Sequence, residues 1–232
     1  MSPLHAFDAA SQRSRRAVLT ATALLTLSIG VTGLSTASSA EKKGPAEVPV
    51  EELMKAGDLP EIGIGPADAK ITVVEYASLT CPHCQNFATK IFPDLKTKYI
   101  DSNKVRFIYR PFALNNLDAA AQMLTRCTDN SKGFAMIEVL YEKQPDWAFT
   151  NGNPVPKLFD IAKQAGFTQE SFDKCLTDQK LLDQITAIRM RASDAFGVNS
   201  TPTFFINGKR LGETPTVAAF DKVIEPLLAA AK

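Results

Sequence analysis

Histidine is almost absent from this chain, which has two histidines among 232 residues. One of them, His5, lies in the first forty residues, which have the character of a cleaved leader, so the mature protein keeps His83 alone. A serine-histidine-aspartate triad built elsewhere in the chain is therefore excluded, as is a metal site with several histidines. We expect neither a metal ion nor a cofactor.

Net charge is nearly absent as well, because 26 basic and 25 acidic residues leave a formal charge of +1. Residues 1–40 contain three arginines and one aspartate, so their removal takes away two net positive charges and leaves −1. A chain without a basic surplus is not expected to bind nucleic acid. Its hydrophobic content of 45% is sufficient for one well-packed domain.

The N-terminus has the pattern of a secretory signal peptide. Arg13, Arg15 and Arg16 precede an uncharged, mostly apolar run at residues 17–34, and small residues end at Ala40, where we expect cleavage. Residues 14–19 also resemble a degenerate twin-arginine export signal, so the export route stays open. The alternative is a retained membrane anchor, although the Thr, Ser and Gly in the run weaken its hydrophobicity.

The rest of the chain predicts an α/β fold in which helices cover a small sheet. After an N-terminal extension at 41–68, with a short helical candidate at 50–56, a strand, a helix kinked at Pro93 and a second strand follow. Helical periodicity then fills 115–196, and the chain ends in a hairpin and a helix. This order indicates a thioredoxin-like fold, formed by 69–114 and 197–232 and interrupted by an inserted helical domain at 115–196. The predicted strands are 71–76, 105–109, 203–206 and 209–211, and the predicted helices are 82–99, 117–127, 134–142, 157–165, 170–176, 181–196 and 216–231.

The segment Cys81-Pro82-His83-Cys84 joins the first strand to the first helix of this fold. Pro82 suits the first helical position, which places Cys81 at the N-cap. A sulfur there accepts hydrogen bonds from free N–H groups and lies at the positive end of the helix dipole, so its thiolate is favoured. Cys81 is the predicted attacking sulfur, and Cys84, one turn deeper in the helix, is the predicted resolving cysteine.

His83 offers a second means of stabilising the Cys81 thiolate. A partly cationic imidazole beside the sulfur would favour the charged form. The alternative is that His83 is a solvent-exposed spacer.

A single C-x-x-C is only moderately specific, because half a zinc site looks the same. Zinc would have to recruit Cys127 and Cys175, which lack the paired spacing of zinc knuckles. In an oxidising compartment these two cysteines are more often paired, so we expect a structural disulfide between them, with two unpaired buried thiols as the alternative.

Two further features surround the cysteine turn. Glu75 lies in an apolar strand on the face of Ile71 and Val73, so its carboxylate should be partly buried, with a raised pKa, and able to accept a proton from Cys84. The alternative is an outward-facing, solvated Glu75.

Thr201-Pro202 precedes a late strand. A cis bond there would leave the Thr201 backbone free for an extended peptide; a trans proline that starts an edge strand is the alternative.

Residues 75–84, Glu-Tyr-Ala-Ser-Leu-Thr-Cys-Pro-His-Cys, and residues 201–208, Thr-Pro-Thr-Phe-Phe-Ile-Asn-Gly, resemble the DsbA family of periplasmic disulfide oxidases. The similarity covers nearly all of residues 65–232. It implies that Cys81 is the nucleophile, Cys84 the resolving thiol, Glu75 the buried proton acceptor and Pro202 a cis-proline that contacts the disulfide. It also implies that Pro82, Thr201 and Pro202 contact substrate.

The resemblance also implies partners: reduced exported proteins or peptides as substrates, and a DsbB-like membrane quinone reductase for reoxidation. Thr201 departs from the valine of many oxidases and occurs in related isomerases, so the balance between oxidase and isomerase stays open. About 25 mature residues precede the fold, too few for a dimerisation domain, which favours a monomeric oxidase. A non-catalytic peptide-binding module is the third candidate.

Overall fold

The computed structural model describes residues 44–55 and 57–230. The predicted signal peptide at 1–40, its twin-arginine motif and its cleavage site lie outside these residues. Within the described part of the chain, no helix combines the length and apolar character that a membrane span requires.

A mixed sheet of five strands lies at the centre of the described residues. Its strand order is β1-β3-β2-β4-β5, with β2 and β3 parallel and the other pairs antiparallel. The carboxyl ends of β2 and β3 therefore meet at one edge of the sheet, and the cysteine turn follows β2 at that edge. The strands are β1 (Ile62–Ile64), β2 (Ile71–Ala77), β3 (Val105–Pro111), β4 (Thr203–Ile206) and β5 (Lys209–Arg210).

The four predicted strands are confirmed, with shifts of one or two residues at their ends. The turn between β4 and β5 has positive φ at both central residues, 45° at Asn207 and 86° at Gly208. These angles are the ones that a two-residue hairpin favours, which explains why Asn-Gly marks the turn in the sequence.

The predicted helices are also confirmed to within two residues, apart from the region around Pro93. One helix, α6, was not predicted. The α-helices are α1 (Val50–Met54), α2 (Pro82–Asn86), α3 (Phe92–Leu95), α4 (Asn116–Cys127), α5 (Gly133–Glu142), α6 (Gln144–Trp147), α7 (Val155–Gln164), α8 (Gln169–Leu176), α9 (Gln179–Phe196) and α10 (Val217–Ala230).

The helix after the cysteine turn is not uniformly α-helical. Two π-helical segments, Phe87–Ile91 and Lys96–Ile100, follow α2 and α3, so the stretch from Pro82 to Ile100 alternates between the two helix types. Pro93 is the second residue of α3 and cannot donate a backbone hydrogen bond to the preceding turn. The predicted irregularity at Pro93 therefore takes the form of wider turns on both sides of it.

The N-terminal extension is more closely integrated than its sequence suggests. β1 pairs with β3 as an edge strand, and Glu47 forms an isolated antiparallel bridge with Lys209. Val48 and Leu53 are buried. A three-residue strand that contains Gly63 has too little alternation to be recognised in the sequence.

Arginines of the main fold bind backbone carbonyls of this extension. Arg110 donates to Leu53 O at 2.6 Å, and Arg191 donates to Glu52 O at 2.5 Å and Lys55 O at 3.1 Å. Arg126 donates to Pro60 O. The carbonyls at the end of α1, which have no helical partner, are satisfied in this way.

Both faces of the sheet are covered by apolar side chains. Ile71, Val73 and Phe107 pack with Phe87 and Phe220 on one face. The opposite face carries a cluster of Val74, Tyr76, Ile108, Phe196 and Phe205. A third cluster joins the helical segment, residues 116–196, to the cysteine turn and the adjoining ends of the strands; it includes Leu79, Cys84, Leu124, Trp147 and Phe172.

A disulfide between Cys127 and Cys175 joins the end of α4 to α8. The alternative of two unpaired thiols does not apply in this structure. Replacing both residues with alanine should lower the free energy of unfolding by up to about 4 kcal/mol, because the bond restricts a long loop in the unfolded chain. Urea unfolding with Cys81 and Cys84 kept oxidised measures the difference. A loss below about 0.5 kcal/mol, the size of an ordinary surface substitution, would show that the bond does not stabilise the fold.

Candidate active site: the Cys81–Cys84 turn

The cysteine turn begins where β2 ends. Cys81 N donates to Ser78 O at 3.2 Å, and Cys81 is the N-cap residue of α2 with extended dihedral angles (φ −87°, ψ 122°). Pro82 follows at the start of the helix, as the sequence indicates. Cys81 and Cys84 are both free cysteines, unlike Cys127 and Cys175.

The environment of Cys81 lowers the pKa of its thiol to about 5. The largest cause is a hydrogen bond from the Cys84 thiol, and the Thr201 side chain and the N–H groups of Cys84 and His83 add to it, while burial opposes them. These N–H groups lower the pKa of Cys81 although the Cys81 side chain makes no regular N-cap hydrogen bond. Cys81 is therefore a thiolate at neutral pH.

Cys84 has the opposite properties. Its side chain is fully buried, and burial raises its pKa well above the ordinary thiol value. The hydrogen bond to Cys81 and the negative charge of Glu75 raise it further, whereas the Ser78 N–H lowers it. The two sulfurs thus differ strongly: Cys81 is stabilised as an anion and Cys84 as a neutral thiol.

Glu75 lies within the sheet below this pair. It is opposite Tyr109 on β3 and Phe204 on β4, and only 3% of its surface is exposed. Its Oε1 has no hydrogen-bond partner in the described residues. Burial, and then the charge of Cys81, raise the pKa of Glu75 well above its usual range. Glu75 is thus buried, and the solvated alternative does not apply.

Thr201 and Pro202 approach the turn from the start of β4. The Thr201–Pro202 peptide bond is cis, and Cys81 Sγ lies 3.4 Å from Thr201 O, to which the protonated form of the thiol can donate. The Thr201 backbone and side chain are thereby brought to the Cys81 sulfur.

His83 is exposed on α2. Its backbone N–H is one of the groups that lower the pKa of Cys81. The predicted role of its imidazole stays a prediction. The described residues also contain no group of three or more metal-ligating side chains that could hold an ion.

Comparison with known proteins gives the family of this chain. Residues 58–226 match a family model described as thioredoxin. The crystal structure of Wolbachia pipientis alpha-DsbA1 superposes with a TM-score of 0.71 and 30% sequence identity, covering 79% of this chain and 98% of that one. The chain is a DsbA-like member of the thioredoxin family. The predicted α/β thioredoxin-like fold is thereby confirmed.

Curated relatives of this DsbA-like chain agree. A Rickettsia bellii protein, provisionally named a protein-disulfide oxidoreductase, is 37% identical over 166 residues, which are 70% of this chain and 64% of that protein. The chain thus spans slightly less than two thirds of that relative. Disulfide bond formation protein D of Bacillus subtilis is 27% identical over 169 residues, 71% of this chain and 74% of the relative.

A set of buried polar side chains holds the loop that precedes α2. The sequence did not reveal this set. Asp118 Oδ1 accepts from Leu79 N at 2.9 Å, and its Oδ2 accepts from Leu114 N at 2.9 Å. Asp118 and Gln122 are one helical turn apart on α4, but a polar pair at that spacing is equally typical of a solvated helix face. The other members of the set are Gln122, Tyr141 and Gln144.

Proposed function

We propose that this chain is a thiol:disulfide oxidoreductase that donates the Cys81–Cys84 disulfide to reduced, exported proteins or peptides. The observation that carries the proposal is the contrast between the two sulfurs. A thiolate stabilised at Cys81 favours the reduced form of the pair and so makes its disulfide a strong oxidant.

The reaction starts from the oxidised pair. A substrate thiolate attacks Cys81 Sγ, the Cys81–Cys84 bond breaks, and its electron pair goes to Cys84 Sγ. Glu75, whose raised pKa keeps a proton available, protonates that sulfur. A second substrate thiolate then attacks the substrate sulfur of the mixed disulfide, forms the product disulfide and releases Cys81 as its stable thiolate.

The reverse of the first step gives the chain an escape route from a mixed disulfide. Glu75, when ionised, accepts the proton of Cys84, whose thiolate attacks Cys81 Sγ and expels the substrate thiol. Without such a base Cys84 would react slowly, because its thiol is buried and its pKa is raised.

The surroundings of the reaction belong to the same proposal. Cleavage after Ala40 would release a periplasmic, monomeric protein in which 115–196 is the inserted helical domain. A DsbB-like membrane quinone reductase would regenerate the disulfide. Pro82, Thr201 and Pro202 would contact the extended substrate, and the position of Thr201 O beside Cys81 Sγ supports their role.

An assay with two substrates tests the activity. The oxidised protein should convert a dithiol peptide to its disulfide in stoichiometric amounts, and the Cys81→Ser/Cys84→Ser variant should not. A protein that repairs a scrambled substrate but cannot oxidise the peptide would be an isomerase. If the serine variant kept the protein's cellular function, the peptide-binding module would replace the oxidoreductase.

A further inference from the structure

The loop between β2 and α2 is bound by side chains from three helices of the helical segment. The carbonyl of Ala77, at the end of β2, and those of residues 78, 79 and 81 in the loop each accept a hydrogen bond from a buried side chain. The bonds run from Gln122 to Ala77 O (3.3 Å), from Tyr141 to Ser78 O (3.1 Å), and from Gln144 to Leu79 O (2.7 Å) and Cys81 O (3.1 Å).

Gln144 is the member of this set that binds Cys81 itself. A side-chain amide has two N–H bonds, and Gln144 Nε2 reaches two carbonyls, those of Leu79 and Cys81. Cys81 O also accepts from Gln85 N at 3.1 Å, which is the first hydrogen bond of α2. The backbone of the N-cap residue is thus held from α6 as well as from its own helix.

The helix that carries Gln144 is itself firmly anchored. α6 has four residues, so it depends on tertiary contacts for its stability. Trp147, the single tryptophan of the chain, is fully buried at its end, and its Nε1 donates to Leu140 O of α5 at 2.9 Å. Gln144 therefore binds the loop from a fixed position.

We propose that Gln144 is a positioning residue for Cys81, holding its backbone so that Sγ stays at the N-terminus of α2 in every redox state. The N–H groups there stabilise an anion only within the first helical turn, so a small displacement of Cys81 weakens their effect. Without Gln144, two buried carbonyls lose this donor and the loop shifts to satisfy them. The inference rests on the proposed role of Cys81 as nucleophile.

Two substitutions test the role. Gln144→Met keeps the volume and removes the donors, and it should raise the pKa of Cys81 by about one unit, which corresponds to a potential about 30 mV lower. Gln144→Glu keeps the length but offers one donor at most, and only when its carboxyl is protonated, so it should also raise the pKa of Cys81. The ultraviolet absorbance of the thiolate measures the pKa, and equilibration with glutathione measures the potential.

A matched control is Gln164→Met. Gln164 is an exposed residue of α7, and its side chain donates to Asp160 O. This substitution should leave the pKa of Cys81 unchanged. If the Gln144 variants lowered the urea midpoint but also left that pKa unchanged, Gln144 would serve folding alone and the inference would be wrong. A wild-type Cys81 that titrated as an ordinary thiol, near 9.0, would instead overturn the proposed function.

A measurement on the wild-type protein tests the inference even if the Gln144 variants do not fold. NMR couplings across hydrogen bonds should join the Gln144 side-chain amide to the carbonyl carbons of Leu79 and Cys81 in both the reduced and the oxidised protein. Loss of the Cys81 coupling in either state would contradict the inference.

Discussion

The reduced protein should gain about 1.4 kcal/mol of unfolding free energy per pH unit, relative to a Cys81→Ser variant, as the pH rises from 5 toward 9. The cause is the depressed pKa of Cys81, about 5 in the folded protein against 9.0 for an ordinary thiol. Between these values the unfolded state holds one more proton on Cys81 than the folded state. Stability therefore rises with pH in this window and is lost as the pH falls through 5.

Glu75 has to be removed from this comparison, because its pKa is raised and its contribution has the opposite sign. A folded state that keeps the Glu75 proton loses stability as the pH rises above the pKa of the unfolded carboxyl. The clean measurement compares Glu75→Gln with Glu75→Gln/Cys81→Ser by urea unfolding of the reduced proteins at several pH values. A difference that does not change with pH would mean that Cys81 is not a stabilised thiolate.

Replacing Glu75 with glutamine should slow the attack of Cys84 on a mixed disulfide at Cys81 by about 100-fold at neutral pH, the low end of general-base effects. The expected decrease in rate is no larger because the charge of Glu75 also raises the pKa of Cys84. In the variant this charge is absent, so a larger fraction of Cys84 is thiolate. Single-turnover release of a fluorescent peptide from Cys81 measures the step.

The pH profile distinguishes a proton acceptor from a structural glutamate. In the variant, the rate should rise tenfold per pH unit, since each unit increases the Cys84 thiolate tenfold. The wild-type profile should level off above the pKa of Glu75, where this base is fully ionised, so the two slopes are compared there. Glu138→Gln, which changes an exposed carboxylate on α5, is the control and should leave the rate unchanged. Equal slopes in wild type and Glu75→Gln would exclude Glu75 as the base.

Local rules were enough to predict much of the site. The N-cap position of Cys81 follows from the proline after it, and the burial of Glu75 follows from alternation with Ile71 and Val73. The disulfide partner of Cys127 followed from the small number of cysteines and the expected compartment. These inferences concern residues whose environment is set within a few positions, or by elimination.

The supporting residues could not be predicted, because their contacts are distant in sequence. Gln144 binds carbonyls 63 and 65 residues earlier in the chain. Its helix, α6, contains Pro145 and has four residues, too few for a periodic pattern. His83 is a contrasting case: proximity in sequence predicts a role for its imidazole, and the structure adds a contribution of its backbone N–H to the pKa of Cys81.

The most direct test of the central claim is the equilibrium of the Cys81–Cys84 disulfide with glutathione at neutral pH. A pair whose reduced form is stabilised by the Cys81 thiolate should lie at the oxidising end of the thioredoxin superfamily, near the value of about −120 mV found for DsbA. A potential near about −270 mV, that of reducing thioredoxins, would contradict the account.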